Sequence, residues 1–199
     1  MQFADVVTSR RMVRSFAPRP VPSDVVDRVL DLARRVPAAG NTQGLDLVVL
    51  EGAETARYWD ASLSVDARAT FPWPGLLDAP VLIIPVGAPD AYVARYAEDD
   101  KARTGLGAGV DAWSVPYWYV DTAFAAMVAL LAAVDEGLGA LFFGQFDHET
   151  AIARALGIPA DRRAVGTIAL GYPTDEQRPS RSSQRSRRPF DEVVHRGGW

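Results

Sequence analysis

The feature that most constrains the fold of this chain is an apolar run near its middle. Between Asp121 and Asp135 every residue except Thr122 is apolar. The run is too short to span a bilayer, which needs roughly 20 residues, and a helix that is apolar all round is buried in a core. The sequence therefore predicts a helix buried on all sides and ended by Gly137 and Gly139. Since a small chain cannot easily cover every face of one helix, we expect a second subunit to complete the burial.

Size and charge narrow the class of protein. The 199 residues are enough for one domain with its own core, and we predict a single domain over residues 1–199. A net charge of −4 argues against bulk attraction to nucleic acid or to an anionic membrane. The first residues lack the pattern of a secretory signal, so a cytoplasmic location is the default expectation.

The chain contains no cysteine, which removes disulfides, thiolate nucleophiles and iron–sulfur ligands together. The two histidines, His148 and His195, show no metal-ligand spacing, and we predict no metal site. Any redox chemistry must therefore come from a bound organic cofactor.

Periodicity predicts several further elements. Apolar residues recur every three or four positions after Ser23, which indicates an amphipathic helix that Ser23 can cap and Pro37 ends. Residues 45–50, 81–86 and 165–170 are typical of buried strands. Residues 88–120 show little periodicity, and we predict a lid over the ligand there. The alternative, a satellite core, stays open for the aromatic residues of this stretch: Tyr92, Tyr96, Trp113, Tyr117, Trp118 and Tyr119.

Two polar clusters flank the first predicted amphipathic helix. Residues 10–14 read Arg-Arg-Met-Val-Arg, and guanidinium groups offer forked donors to phosphate oxygens. Residues 37–43 include Asn41 and Gln43, whose carboxamides suit the edge of a heterocycle or a polyol chain. Near the other end, residues 178–188 contain five arginines, a pattern that alone is typical of a solvated loop.

In their order and spacing these clusters resemble the nitroreductase family of flavin mononucleotide (FMN) enzymes. The family signature opens roughly as R-R-S-V-R, a helix, then P-S-A-G-N-T-Q. The resemblance continues through residues 121–139, 144–147, 171–173 and 185–192. It implies an α+β fold with a central mixed sheet flanked by helices, in a homodimer with FMN at the interface.

The resemblance also implies which residues hold FMN. Met12 replaces the family's serine, so that backbone contact alone survives there and Arg11 becomes the substitute. Ala38 and Ala39 likewise leave backbone groups to bind. Gly144 permits close approach of the backbone to the flavin. The implied cofactor-binding residues are Arg10, Arg11, Met12, Ala38, Ala39, Asn41, Gln43, Gly144, Gln145, Arg185 and Arg187.

The stretch 71–78 departs from the family pattern, and Arg14 is not among the implied cofactor-binding residues. Many relatives carry a lysine near the flavin N1 in the stretch that corresponds to residues 71–78, where this chain has no cation. Either another arginine supplies that charge or the flavin is tuned differently. For Arg14 we favour a surface ion pair over a ligand contact.

The activity implied by the resemblance is an NAD(P)H-dependent oxidoreductase that passes hydride through flavin N5 to a quinone, a nitroaromatic or a conjugated carbonyl. No catalytic side chain is needed, because the flavin carries the chemistry. Trp73, Trp113, Tyr117 and Trp118 are candidates for the acceptor pocket, and residues 178–199 are predicted to form a C-terminal arm. The alternatives are a flavin-consuming or dehalogenating enzyme of the same fold, and a non-enzymatic flavin-binding or sensing protein.

Overall fold

A five-stranded sheet forms the centre of the chain in the computed structural model, which describes residues 1–178 and 180–199. Its strands are β1 (Leu45–Glu51), β2 (Val81–Gly87), β3 (Gly139–Phe143), β4 (Arg163–Ala164) and β5 (Thr167–Gly171). The helices are α1 (Phe3–Ser9), α2 (Ser23–Ala33), α3 (Thr55–Ser62), α4 (Val65–Ala69), α5 (Pro89–Tyr96), α6 (Tyr117–Asp135) and α7 (Glu149–Leu156). This confirms the predicted α+β class.

The strands follow the order β1-β2-β5-β3, with β4 pairing to β2. Every pairing between these described strands is antiparallel, where a mixed sheet was expected. The reason is visible at β1 and β2: Glu51 lies opposite Val81, so the connecting chain returns at the end it left. A parallel contact does occur at the open edge of β3, as the isolated bridge from Met12 to Ala140.

Helices cover both faces of the sheet, and β2 is buried along its whole length. Val81 and Ile83 belong to the core that α2 and α6 form on one face. Leu82 and Ile84 belong to the core with α3 and α7 on the other face. This alternation follows from the period of two in a strand, and it explains why the run 81–86 is apolar at every position except its proline.

The apolar run forms α6, which begins at Tyr117, four residues before Asp121. Within one chain its burial is incomplete, because Phe124 is 47% and Met127 is 43% exposed, so burial on all sides would need the second subunit that the sequence analysis expects. By length and composition alone α6 could cross a membrane, but half of its most apolar stretch is buried inside the protein. It packs on α2 and the sheet, and its outer face is left open.

The predicted strands at 45–50, 81–86 and 165–170 are confirmed as β1, β2 and β5. Strand β3 was not predicted. Helix α5 and the start of α6 occupy the two ends of the stretch that was expected to be irregular. Ser23 is the first residue of α2 rather than its cap, since Pro22 takes the position before the helix and no side-chain cap bond forms.

Candidate functional site

The N-terminal polar cluster lies along the open edge of β3. The backbone N–H of Val13 donates to the carbonyl of Ala140 at 3.0 Å, next to the parallel bridge of Met12. A side chain at Gly139 would collide with Val13, so a glycine is needed for this close approach. The segment therefore contacts β3 in the parallel direction near Ala140, with Arg10 toward the beginning of the strand.

Arginines from both ends of the chain meet in one groove of about 990 Å³, which we call the arginine groove. Arg10 and Arg11 line it together with Arg185 and Arg187, as the sequence predicted for a shared ligand group. Arg14, Arg178, Thr8, Gln177 and three serines complete its polar lining, and no Asp or Glu is among its lining residues in the described part of the chain. Such a concentration of guanidinium groups favours an anion.

Arg10 carries the clearest sign of a missing partner. Its Nη1 atom is buried and has no hydrogen-bond partner among residues 1–178 and 180–199. A buried donor without a partner is unfavourable, so an oxyanion bound there would be stabilised. Arg11, by contrast, uses Nη1 to donate to the carbonyls of Thr8 at 2.7 Å and Arg10 at 2.9 Å. Its role as substitute for the missing serine stays a prediction.

The interpretation of Arg14 as a surface ion pair is wrong. Its Nη1 donates to the carbonyl of Met12 at 3.1 Å, and its guanidinium carbon lies 5.2 Å from the centre of the Trp73 ring. No carboxylate of the described residues lies within ion-pair distance of it. The reason is the stacking on Trp73, which keeps this cation between the arginine groove and a second cavity.

That second cavity, the aromatic cleft, has a volume of about 360 Å³ and lies between α3, residues 71–76 and the end of β3. It brings Arg14 and Trp73 together with the predicted Gly144 and Gln145. Its apolar walls include Tyr58, Trp59, Phe71, Leu76, Phe143 and Phe146. The ring of Phe146 lies against Gly144. Phe146 itself has a left-handed φ of 48° and is 83% exposed.

A buried hydrogen-bond chain supports the turn at Gln145. Gln145 Nε2 donates to Thr167 Oγ1 at 3.0 Å, and Thr167 Oγ1 donates to the Tyr58 hydroxyl at 3.0 Å. Burial raises the pKa of Tyr58 to about 12. Since its side chain points inward, Gln145 offers a ligand mainly its backbone.

The second polar loop, residues 38–43, is held on the far side of the sheet. The N–H of Ala39 donates to Asp121 Oδ2 at 2.8 Å, and the carbonyl of Ala38 accepts from the N–H of Asn41 at 2.8 Å. Backbone groups that the sequence assigned to the ligand are thus used inside the protein. The exposed side chains of Asn41 and Gln43 contact each other at 3.4 Å, and both residues have left-handed φ values, of 53° and 56°.

The sheet keeps the two polar clusters apart. The loop precedes β1 at one edge, whereas Arg10 to Arg14 lie outside β3 at the other, four strand spacings or about 19 Å away. Met12 is level with Glu51, six positions from Leu45, which adds about 20 Å along the sheet. A single chain therefore does not bring the two clusters to one ligand.

The four predicted acceptor residues also fall in two places. Trp73 lines the aromatic cleft, while Trp113 and Trp118 are buried in a cluster with Tyr92 that packs against Ala39. The satellite-core alternative therefore describes these two tryptophans. Tyr117, at the start of α6, is 40% exposed. Contact of any of these residues with an acceptor stays a prediction.

The C-terminal arm has little contact with the rest of the chain. Residues 182–199 are exposed at every position, including Phe190 at 70% and Trp199. Two short 3₁₀ turns, Arg181–Gln184 and Phe190–Glu192, are the regular structure in this part of the described chain. The apolar side chain of Phe190 is therefore exposed in one copy, whereas the Trp199 ring stacks on His195.

The sequence model of the nitroreductase family matches residues 7–172 of this chain. The chain belongs to the nitroreductase family. A relative from Thermus thermophilus, named NADH dehydrogenase, is 27% identical over 192 residues, which cover 93% of this chain and 91% of that protein.

Solved structures agree with this assignment. A nitroreductase family protein from Clostridium novyi NT has a TM-score of 0.67 at 25% identity, covering 88% of this chain and 87% of that one. An FMN-dependent nitroreductase from Clostridium difficile R20291 has the same fold, with a TM-score of 0.68 at 18% identity and coverage of 98% and 99%.

Sequence reasoning missed two groups at these sites. Asp121 was read only as the boundary of the apolar run, although a buried acid at the start of an apolar helix is itself a signal. The chain from Gln145 through Thr167 to Tyr58 joins residues far apart in sequence, and no local pattern indicates it.

The raised pKa of Tyr58 predicts a specific alkaline instability. Between pH 10 and 12 the hydroxyl ionises in the unfolded chain but stays neutral in the fold, so the unfolded state gains stability as pH rises. Urea unfolding should show the parent losing roughly 2 to 3 kcal/mol more than Tyr58→Phe over this range. Tyr119→Phe, at an exposed tyrosine, is the control. Parallel pH profiles for parent and Tyr58→Phe would contradict the burial of an un-ionised hydroxyl.

Proposed function

We propose that this nitroreductase-family chain is an FMN-dependent oxidoreductase that passes electrons from NAD(P)H to a quinone, a nitroaromatic or a conjugated carbonyl. The observation that carries the proposal is the arginine groove, where Nη1 of Arg10, which has no partner among the described residues, lies with Arg185 and Arg187 from the far end of the chain. The names of the Thermus relative and of the Clostridium difficile neighbour support the same chemistry.

The donor set fits the parts of FMN in order along β3. The arginine groove is suited to the terminal phosphate, because its guanidinium groups are not neutralised by acids among its described lining residues. At the other end of the strand, the aromatic cleft offers flat apolar walls and the backbone of Gly144 and Gln145 to a ring. Arg14 lines both cavities and thereby joins them.

Arg14 would also supply the positive charge that a lysine supplies in many relatives, in the stretch that corresponds to residues 71–78 here. It is the one arginine among the described residues that line the aromatic cleft, and its stacking on Trp73 fixes its position there. A bound FMN would supply two-electron transfer between NAD(P)H and the acceptor. In that arrangement Arg14 would stabilise negative charge on the polar edge of the reduced ring, while Trp73 limits access to the cleft.

We infer that the working form is a homodimer. The exposed Phe124 and Met127 on α6, Phe3 and Val7 on α1, and Phe190 on the arm are apolar side chains that a second copy could cover. A second copy would also bring the 38–43 loop to the cofactor that the arginine groove of the first copy holds. Each site would then be built from both subunits.

The phosphate contact is tested by comparing two flavins. A hydrogen bond to a charged group is worth roughly 1.5–3 kcal/mol, so Arg187→Ala should weaken FMN binding by about ten- to a hundredfold. Riboflavin, which lacks the phosphate, should bind the variant and the parent equally. Arg103→Ala removes an exposed arginine outside the lining of this groove and is the matched control. An FMN affinity of Arg187→Ala within twofold of the parent would show that the arm does not reach the phosphate.

The oxidoreductase activity is tested by the visible spectrum. Protein loaded with FMN should be yellow, should bleach under anaerobic NADH or NADPH, and should recover its colour when menadione is added. Bleaching without recovery would indicate another terminal acceptor. A yellow protein that neither nucleotide bleaches would contradict the proposed activity and favour a flavin-binding role.

A further inference from the structure

Asp121 is a buried carboxylate whose partners are all neutral. It is 4% exposed, and its Oδ2 accepts two hydrogen bonds, from the N–H of Ala39 at 2.8 Å and from the hydroxyl of Tyr92 at 2.8 Å. No basic side chain within the described ranges pairs with it. Burying a charge without a counter-ion is unfavourable, so this arrangement calls for an explanation beyond packing.

The same loop is held at a second point by α5. Arg95 Nε donates to the carbonyl of Gly40 at 2.8 Å, and the guanidinium is fixed by Asp100 at 2.7 and 2.8 Å. The ring of Tyr96 lies so close to Gly40 that a side chain there would collide with it. Helices α5 and α6 thus fix two consecutive residues of the loop, Ala39 through its N–H and Gly40 through its carbonyl and its contact with Tyr96.

These anchors hold a backbone that would not persist alone. Asn41 and Gln43 both have left-handed φ values, which are uncommon for residues other than glycine and survive where the surroundings impose them. Their side chains are exposed and make one weak contact, with each other. The anchors therefore hold the loop in a strained backbone conformation in which two carboxamides are exposed to solvent.

We propose that Asp121 is a positioning residue for the cofactor. Through Ala39 and Tyr92 it holds the 38–43 loop so that the carboxamides of Asn41 and Gln43 meet the polar edge of the flavin ring across the dimer. A carboxamide carries both a donor and an acceptor, which matches the alternating carbonyl and N–H groups of that edge. This inference rests on the proposed function, since it names what orders one half of the same site.

The anchoring also ties this loop to the aromatic cluster. Tyr92, which donates to Asp121, packs edge-on against Trp113 with ring centres 5.9 Å apart, and Trp118 lies 6.3 Å from the same ring. The aromatic stretch therefore supports the loop from beneath. Changes in this cluster should reach the flavin ring through Asp121 rather than by direct contact.

Four variants test the assignment by FMN and riboflavin affinity, with thermal unfolding measured alongside. Asp121→Ala removes two hydrogen bonds and should weaken both flavins alike by about tenfold or more, since the loop serves the ring and not the phosphate. Asp121→Asn keeps one oxygen able to accept both donors and should stay within about threefold. Tyr92→Phe removes one bond and should fall between them. Asp111→Asn, at an exposed acid, should change nothing.

A second measurement does not depend on flavin. Amide hydrogen exchange of residues 39–43 in flavin-free protein should speed up by about tenfold in Asp121→Ala and stay near the parent rate in Asp121→Asn. If Asp121→Ala does not fold, the milder Tyr92→Phe carries both measurements.

Three results would count against the assignment in different ways. A folded Asp121→Ala with flavin affinity within twofold of the parent would overturn the positioning role. Unchanged exchange in Asp121→Ala would overturn the anchoring itself. If the parent binds neither flavin and exchange still speeds up in Asp121→Ala, the proposed function is overturned, and with it the flavin contact. The anchoring of the loop by Asp121 would then stay in place.

Discussion

The site depends on one piece of backbone pairing, the attachment of residues 12–17 to the edge of the sheet. The N–H of Val13 donates to the carbonyl of Ala140, and farther along the N–H of Ala17 donates to the carbonyl of Tyr172 at 2.8 Å. Backbone bonds of this kind fix direction as well as position. They place Arg10 beside the beginning of β3, while the side chain of Arg14 reaches the cleft at the end of the strand.

The same segment brings the C-terminal part of the chain to the groove. Gln177 accepts from the N–H of Arg14 at 3.0 Å and donates to the carbonyl of Ser15 at 2.6 Å, while Thr174 donates to the Ser15 hydroxyl at 2.7 Å. Residues 174–177 are tied to residues 14 and 15. The arginines that follow them in the sequence therefore start close to Arg10 and Arg11. Two ends of the chain that repel by charge are thus held together by neutral hydrogen bonds.

Much of the fold was predictable because it rests on local patterns. The apolar run of α6 and the strands at 45–50, 81–86 and 165–170 are confirmed, since burial of a whole strand or helix leaves a continuous apolar signal. The short β3 was missed because its five residues follow directly on a glycine-rich turn. For α6, composition shows that the helix is apolar but not which of its sides one chain covers, so the position of its open face required the structure.

In the candidate site, too, features carried by local motifs were predictable and contacts between distant residues were not. The order of the motifs indicated that Arg10 and Arg185 share a cavity, and the arginine groove brings them together. The stacking of Arg14 on Trp73 and the hold of Asp121 on Ala39 join residues 59 and 82 positions apart, and each depends on the final packing of the sheet. Such contacts are set by tertiary geometry, which the sequence pattern of either partner does not contain.

The central claim is that each site needs two chains, because the sheet separates the arginine groove from the 38–43 loop. Native mass spectrometry of protein loaded with FMN tests this most directly, by reporting flavin count and subunit count on the same particle. The account predicts dimers that carry two FMN molecules, and monomers of 21.6 kDa that carry none. Monomers that retain FMN as well as the dimers do would contradict it.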